Sequence, residues 1–253
     1  MVTFIQAIIL SFIEGITEWF AISSSGHLAI FKELLNVDPK GFLGFVVYLH
    51  FASALGVVIY FWRDIIRLIT EKDIKYILRV TITLIPIAVA GVFLKKSVED
   101  TFNNLLFIGV FFVICGVFIY STKYAKERKT KLSISDSLFI GFSQVLAIFP
   151  GISRSGMATG SGLILGLKKE EAIKFSFILA IPIIFGAAIL ESSEISTMAI
   201  PFYVLLTTFT ITLLTSLLTI MLLVRIIRHD KFYLFGIYNF ILGLILIIRF
   251  LFW

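Results

Sequence analysis

A chain of 253 residues that is 59% hydrophobic and only 15% charged is not a soluble globular domain, where apolar usage lies nearer half and charged usage nearer a quarter. The mean hydropathy of +1.04 points to a polytopic membrane protein instead. A net charge of +6 would suit nucleic acid in a soluble protein, but basic cytoplasmic loops account for it here, and no nucleic-acid partner is expected.

The N-terminal stretch Met1-Val-Thr-Phe-Ile-Gln6 lacks a basic start and Glu14 interrupts its apolar run, so no cleaved signal peptide is expected. Residues 2–36 read as an apolar helix, the turn Ser23-Ser24-Ser25-Gly26, and a short amphipathic piece ending near Asn36. Crossing the hydrocarbon takes about 20 apolar residues. Such runs follow at 42–63, 74–94 and 103–122. Residues 134–167 are again broken, at Pro150-Gly151, and further runs cover 172–190, 201–224 and 232–252. Irregular backbone survives at membrane depth only inside protein or beside a water-filled cavity. The two broken regions are therefore expected to be re-entrant helix pairs. Trp62 and Trp253 fall at span ends, where amphipathic rings favour the headgroup layer. Pro86 and Pro182 lie inside spans and predict kinks, since each removes a backbone donor. The lone Cys115 allows no intrachain disulfide.

The halves repeat at an offset of 130 residues, which pairs Phe12/Phe142, Ile22/Ile152, Ser23/Ser153, Ser25/Ser155, Gly26/Gly156, Phe45/Phe175 and Gly56/Gly186. The same offset carries the first three spans onto the last three. Residues 1–253 thus read as a single membrane domain with repeats of about 1–125 and 131–253. Each repeat holds one re-entrant pair and three spans; three is odd, so the second copy is expected to be inverted, with its site near the midplane. The predicted fold is all-α: an inverted-topology repeat of six transmembrane helices plus two re-entrant helix pairs. Arg63, Arg67, Lys72, Lys75, Arg79, the basic residues of 123–131 and 168–174, Arg225, Arg228 and Lys231 collect on one side. Lys32, Lys40, Lys95, Lys96 and Arg249 fall on the other, with Glu191 and Glu194. The richer side is cytoplasmic. Both termini and the mouth of the first pair then face outward, while the second pair enters from the cytoplasm.

Ionisable groups inside a membrane mark function by default, because burying them unpaired is costly. Glu14 and Glu18 are one turn apart on one helix face and repel unless relieved. A hard divalent cation with oxygen ligands would relieve them and bridge to phosphate; protonation of one, or pairing with Arg154, would also do so. Ser23-Ser24-Ser25-Gly26 and Ser153-Arg154-Ser155-Gly156 each precede a short helix, where amides and hydroxyls make anion sites. Alone they would be simple caps and turns. Arg154 tips the balance, because its planar fork suits a pair of phosphate oxygens. His27, close behind the first turn, reads either as acid–base catalyst or as a hydrogen-bonded core residue. His50 is mid-span and a weak candidate for the same cavity; His229 sits in a basic loop, solvated.

The motifs Glu14-x-x-x-Glu18, Ser23-Ser-Ser-Gly-His27 and Pro150-Gly-Ile-Ser-Arg154-Ser-Gly resemble those of the undecaprenyl-diphosphate phosphatases of bacitracin-resistance type. The resemblance extends to Phe61-Trp-Arg63 and to Phe175-Ser-Phe-x-Leu-Ala-Ile-Pro182. It implies a plasma-membrane enzyme that removes the terminal phosphate of a C55 polyprenyl diphosphate, renewing the lipid carrier of cell-wall glycan synthesis; with the orientation read above, the site is expected to open to the outer face. It also implies an acidic pair at Glu14 and Glu18, a nucleophile at Ser24, and catalytic roles for Glu18, His27 and Arg154. Phosphate binding falls to Arg154 with Ser23, Ser25, Gly26, Ser153, Ser155 and Gly156, and the implied cofactor is Mg2+ or Ca2+. Two positions depart from the family pattern: Ala21 stands where a proline is usual, and Ala158 where a threonine is, with Thr159 one place later. Attack by Ser24 and attack by activated water both stay open, as do His27 and Glu18 for moving the proton. The rival reading is a polyprenyl-phosphate flippase or ion-coupled transporter, with Glu14 and Glu18 coupling to protons or ions. Assembly as a homodimer is left open.

Overall fold

The computed structural model describes residues 2–38, 41–102, 104–190 and 200–252. The expectations placed on Lys40, Glu191, Glu194 and Trp253, and on the Lys95 side chain, fall outside what is described. Among the described residues the chain forms α1 (Phe4–Thr17), α2 (Ser24–Leu34), α3 (Phe42–Tyr60), α4 (Trp62–Thr70), α5 (Ile74–Phe102), α6 (Leu105–Ser121), α7 (Ile134–Leu146), α8 (Arg154–Ile164), α9 (Lys169–Leu190), α10 (Phe202–Arg228) and α11 (Leu234–Phe252). Six of them, α3, α5, α6, α9, α10 and α11, are long and apolar enough to cross a membrane, as expected; α1 and α7 are apolar but shorter.

Two boundaries differ from the sequence reading. The run 42–63 stops at Phe61, where φ −99° and ψ 17° break the helix, and α4 leaves on its own with no buried residue. Its charges at 63, 64 and 67 alternate with Ile65, Ile66 and Ile69, an amphipathic pattern that a count of apolar residues overlooks. The helix begun at Ile74 runs on to Phe102, eight residues beyond the apolar run, and α5 and α9 continue past Pro86 and Pro182.

α1 and α7, and likewise α2 and α8, start by the same local chemistry. α1 opens with a capping box between Thr3 and Gln6, and α7 with one between Ser133 and Asp136; each satisfies two backbone donors that the first helical turn leaves free. The Asp136 carboxylate also takes Lys129 Nζ at 2.7 Å. α2 and α8 are capped by Ser23 and Ser153, whose hydroxyls accept from the amides of Gly26 and Gly156.

The longest helix contact joins α6 to α11. A Cβ on Gly109 would lie 3.0 Å from the Gly243 carbonyl, and one on Gly116 would lie 2.8 Å from that of Gly236. Small residues let helix backbones meet where lipid offers no hydrophobic drive. Because 109 meets 243 and 116 meets 236, the two helices run antiparallel. α1 lies along α10 in the parallel sense, with Phe4 beside Tyr203 (ring centroids 5.9 Å), Thr212 Oγ1 donating to Ser11 O and Gly15 against Thr215. α7 lies parallel to α5, with Thr83 Oγ1 donating to Ser137 O and Gly141 against Pro86. Each short helix thus packs on a long helix of the other half. Trp19 from the first turn stands edge-on to Phe177, which also meets Phe61, in the main buried cluster.

Candidate active site

α1 delivers both carboxylates, and Glu18 closes it, its amide donating to Glu14 O at 3.0 Å. The chain then turns through 19–23 and reaches Ser23 at φ +61°, a region that non-glycine residues rarely adopt. The opposite turn holds that conformation: Gly151 N donates to Ser23 Oγ at 3.0 Å, and Gly26 N donates to the same oxygen at 3.3 Å. Gly151 has φ +101°, and a Cβ there would lie 2.6 Å from the Ile108 carbonyl. Gly26 faces the Phe112 ring and the Gly151 amide, and Gly156 faces Ala21, so a methyl group at either would part the turns.

The Gly151→Ala variant is therefore expected to lose about 2–4 kcal/mol, from backbone strain plus the carbonyl clash. Gly41→Ala is the control, since Gly41 has φ +73° but a Cβ there meets nothing within 4 Å among the described residues; it should lose only the backbone part, about 1–2 kcal/mol. Thermal unfolding of the two in detergent, beside wild type, gives the difference.

The turns also meet through their side chains. Arg154 Nη2 donates to Glu18 Oε1 at 2.9 Å, Ser24 Oγ donates to Glu18 Oε2, and Ser155 Oγ donates to the Glu18 carbonyl at 3.1 Å. Glu18 is 7% exposed, and both its carboxylate oxygens are engaged. Ser153 Oγ and Ser155 Oγ lie 3.2 Å apart, and Ser23 Oγ and Ser25 Oγ 3.3 Å. Gln144 Nε2 supports the Arg154 carbonyl at 3.1 Å. Glu14 differs from Glu18. It is 0% exposed, and neither of its oxygens has a hydrogen-bond partner among the described residues.

His50, on α3, completes this cluster. Its Nδ1 lies 3.2 Å from Glu14 Oε1 and its Nε2 3.5 Å from Glu18 Oε2. One ligand atom from each of Glu14, Glu18 and His50 lies within 4.8 Å of the others. A buried, unsatisfied carboxylate in such a group fits a divalent cation, so the donors for the expected ion are present. His27 points elsewhere: Nδ1 bonds the Ser23 carbonyl at 2.8 Å and Nε2 bonds Tyr238 Oη at 2.7 Å, with the ring stacked on Tyr238. The motifs left Tyr238 and Asn239 unmarked. Asn239 Nδ2 donates to the Ala21 carbonyl at 2.6 Å, tying α11 to the first turn. A polar pair in the apolar run of α11 was the signal that could have found them.

The family described as bacitracin resistance protein BacA matches residues 7–245. The chain belongs to this family. Undecaprenyl-diphosphatase from Methanococcus vannielii is 39% identical over 96% of this chain and 98% of its own. The protein of the same name from Thermosipho africanus is 35% identical over 94% and 97%, and that from Bacteroides fragilis 32% over 96% and 97%. The BacA match runs through both turns and five of the long helices and reaches into the sixth, α11. At its two departures from the pattern, this BacA chain buries Ala21 completely, and Thr159 Oγ1 is buried with no hydrogen-bond partner among the described residues.

Proposed function

We propose that this chain is an integral membrane phosphatase that hydrolyses undecaprenyl diphosphate, or a polyprenyl diphosphate of similar length, to the monophosphate and inorganic phosphate. That reaction returns the carrier lipid to cell-wall glycan synthesis and confers bacitracin resistance. The observation that carries the reading is the contact of Arg154 with Glu18, 2.9 Å apart in space and 136 residues apart in sequence. It sets a guanidinium, a carboxylate and two serine-glycine turns around one point, as phosphoryl transfer requires of a site that works by positioning and charge. The undecaprenyl-diphosphatases that match along their whole length support the substrate class.

Arg154 and the amides and hydroxyls of 23–26 and 153–156 receive the phosphoryl oxygens. Glu14 and Glu18 would hold a divalent cation, which would neutralise phosphoryl charge when bound. Ser24 already donates to Glu18, so the proton has a route as Ser24 Oγ attacks the terminal phosphorus. The bond to the bridging oxygen breaks, the polyprenyl monophosphate leaves, and water then releases phosphate from the serine. His27, bonded to the Ser23 carbonyl, orients the serine turn. Purified protein in detergent, where no gradient exists, is expected to release phosphate from a C55 polyprenyl diphosphate; a wild type that releases none overturns the reading. Ser24→Ala is expected to lose about three orders of magnitude in kcat. Full activity in that variant would hand the attack to water.

The topology belongs to the same proposal. α1 and α7 hold 14 and 13 residues, about 20 Å of helix, short of the hydrocarbon thickness of about 30 Å. Their parallel packing on α10 and α5, and the antiparallel run of α6 and α11, support two inverted repeats with re-entrant pairs that meet at mid-membrane. The basic residues favour both termini outside and a site that opens to the outer face.

A further inference from the structure

We propose that His50 is the third protein ligand of the ion held by Glu14 and Glu18, and that its nitrogen makes the site favour Mn2+ or Zn2+ over Ca2+. The proposal deepens the phosphatase reading and rests on its ion.

The hydrogen bonds of His50 set its chemistry. Nδ1 lies 2.9 Å from the Val46 carbonyl. A carbonyl only accepts, so Nδ1 carries a proton, and in the neutral ring Nε2 then keeps its lone pair. Metal-bound histidines are fixed in the same way, one ring nitrogen donating to a backbone carbonyl while the other ligates. In the neutral ring that lone pair faces Glu18 Oε2 at 3.5 Å, two acceptors directed at one another, an arrangement that a cation shared between them relieves. The neighbouring Glu14 is fully buried with both oxygens unsatisfied. Arg154 is the guanidinium bonded to the group, and with both carboxylates ionised the pair and Arg154 sum to −1. A divalent cation would turn that to +1, the sign a diphosphate needs.

The donor set also bears on which ion binds. Calcium takes oxygen ligands in numbers of six to eight, and magnesium keeps most of its water. Imidazole suits the later transition ions and zinc, and carboxylates accept manganese as well. Two carboxylates, one imidazole nitrogen and open positions for phosphate oxygens describe a three-ligand catalytic site, closer to zinc or manganese enzymes than to a calcium cage. The two oxygens and the nitrogen come from α1 and α3, which pack side by side, so the site stands on rigid helices rather than on a loop.

The experiment uses the full-length protein in detergent, stripped of metal and titrated with Mn2+ under electron paramagnetic resonance. Wild type should bind Mn2+ with 14N modulation in the spin-echo envelope. That modulation should vanish in His50→Gln and persist in His229→Gln. Mn2+ affinity should fall at least about tenfold in His50→Gln, and the preference for Mn2+ over Ca2+ in competition should go with it. Bound Mn2+ without 14N modulation in wild type, or modulation that survives in His50→Gln, overturns the proposal; so does wild type that binds no Mn2+. The wild-type spectrum decides even if a variant folds poorly. Phosphate release assayed on the same wild-type preparation keeps the two claims apart. Activity with no nitrogen ligand sinks His50 alone, whereas no activity sinks the phosphatase.

Discussion

Arg154→Ala is expected to lower kcat for phosphate release in detergent by about three orders of magnitude or more, the loss seen when the main cationic contact to a transferring phosphoryl group is removed. The substitution acts twice. It removes the fork that would grip the phosphoryl oxygens, and it leaves Glu18, 7% exposed, with the hydroxyl of Ser24 but without the guanidinium on Oε1. Breaking a buried ion pair by deleting one partner costs about 3–5 kcal/mol; Arg154 is partly open, with 23% side-chain exposure, so the lower end is expected. Thermal unfolding reads that part and kinetics reads the other. Arg154→Lys separates them: an ammonium restores charge to Glu18 but presents no planar fork. It should recover most of the stability and little of kcat. In Arg154→Ala/Glu18→Gln the stability loss should be smaller than the sum of the single losses, because the stranded carboxylate is gone. An Arg154→Ala protein within tenfold of wild type would remove the arginine from the chemistry.

The second large effect concerns the axis of the fold. Gly116→Val should reduce the folded, monodisperse fraction in detergent sharply, at a cost of about 3 kcal/mol or more. The added Cβ would lie 2.6 Å from the Phe240 amide and 2.8 Å from the Gly236 carbonyl, and neither is a side chain that can swing aside. α6 and α11 would have to separate, carrying with them Cys115, whose sulfur accepts from the Ser153 amide, and Asn239, which holds the Ala21 carbonyl. Both turns of the site would shift together. Gly91→Val is the control: it is also helical, but a Cβ there meets nothing within 4 Å among the described residues. Size-exclusion profiles and unfolding temperatures of the two variants should diverge; equal behaviour would show that α6 and α11 do not need this close approach.

Much was legible because a membrane tolerates few exceptions. Runs of about 20 apolar residues, the interruptions at Ser23–Gly26 and Pro150–Gly151, and the acidic pair one turn apart are each costly unless structural or functional, and so they stand out. The offset of 130 residues anticipates that α2 and α8 span 24–34 and 154–164. It also exposes an asymmetry. It carries Glu14 onto Gln144, Glu18 onto Ile148, Ser24 onto Arg154 and His50 onto Ala180, so one half supplies the acid and the other the cation. The amphipathic α4 went unread because its isoleucines are too few for an apolar run.

Composition and local pattern determined the all-helical membrane class, the number of long helices, the two serine-glycine turns and the carboxylates and arginine beside them, since each follows from what lipid does to nearby residues in the chain. Only tertiary packing decided the partners. Glu18 meets Arg154, His50 reaches back to Glu14 and Glu18, and His27 turns away to Tyr238, because helices distant in sequence brought these side chains together. A single histidine within an apolar run carries no local sign of which helix it will face, and that choice rests on the glycine contacts and helix directions of the assembled fold.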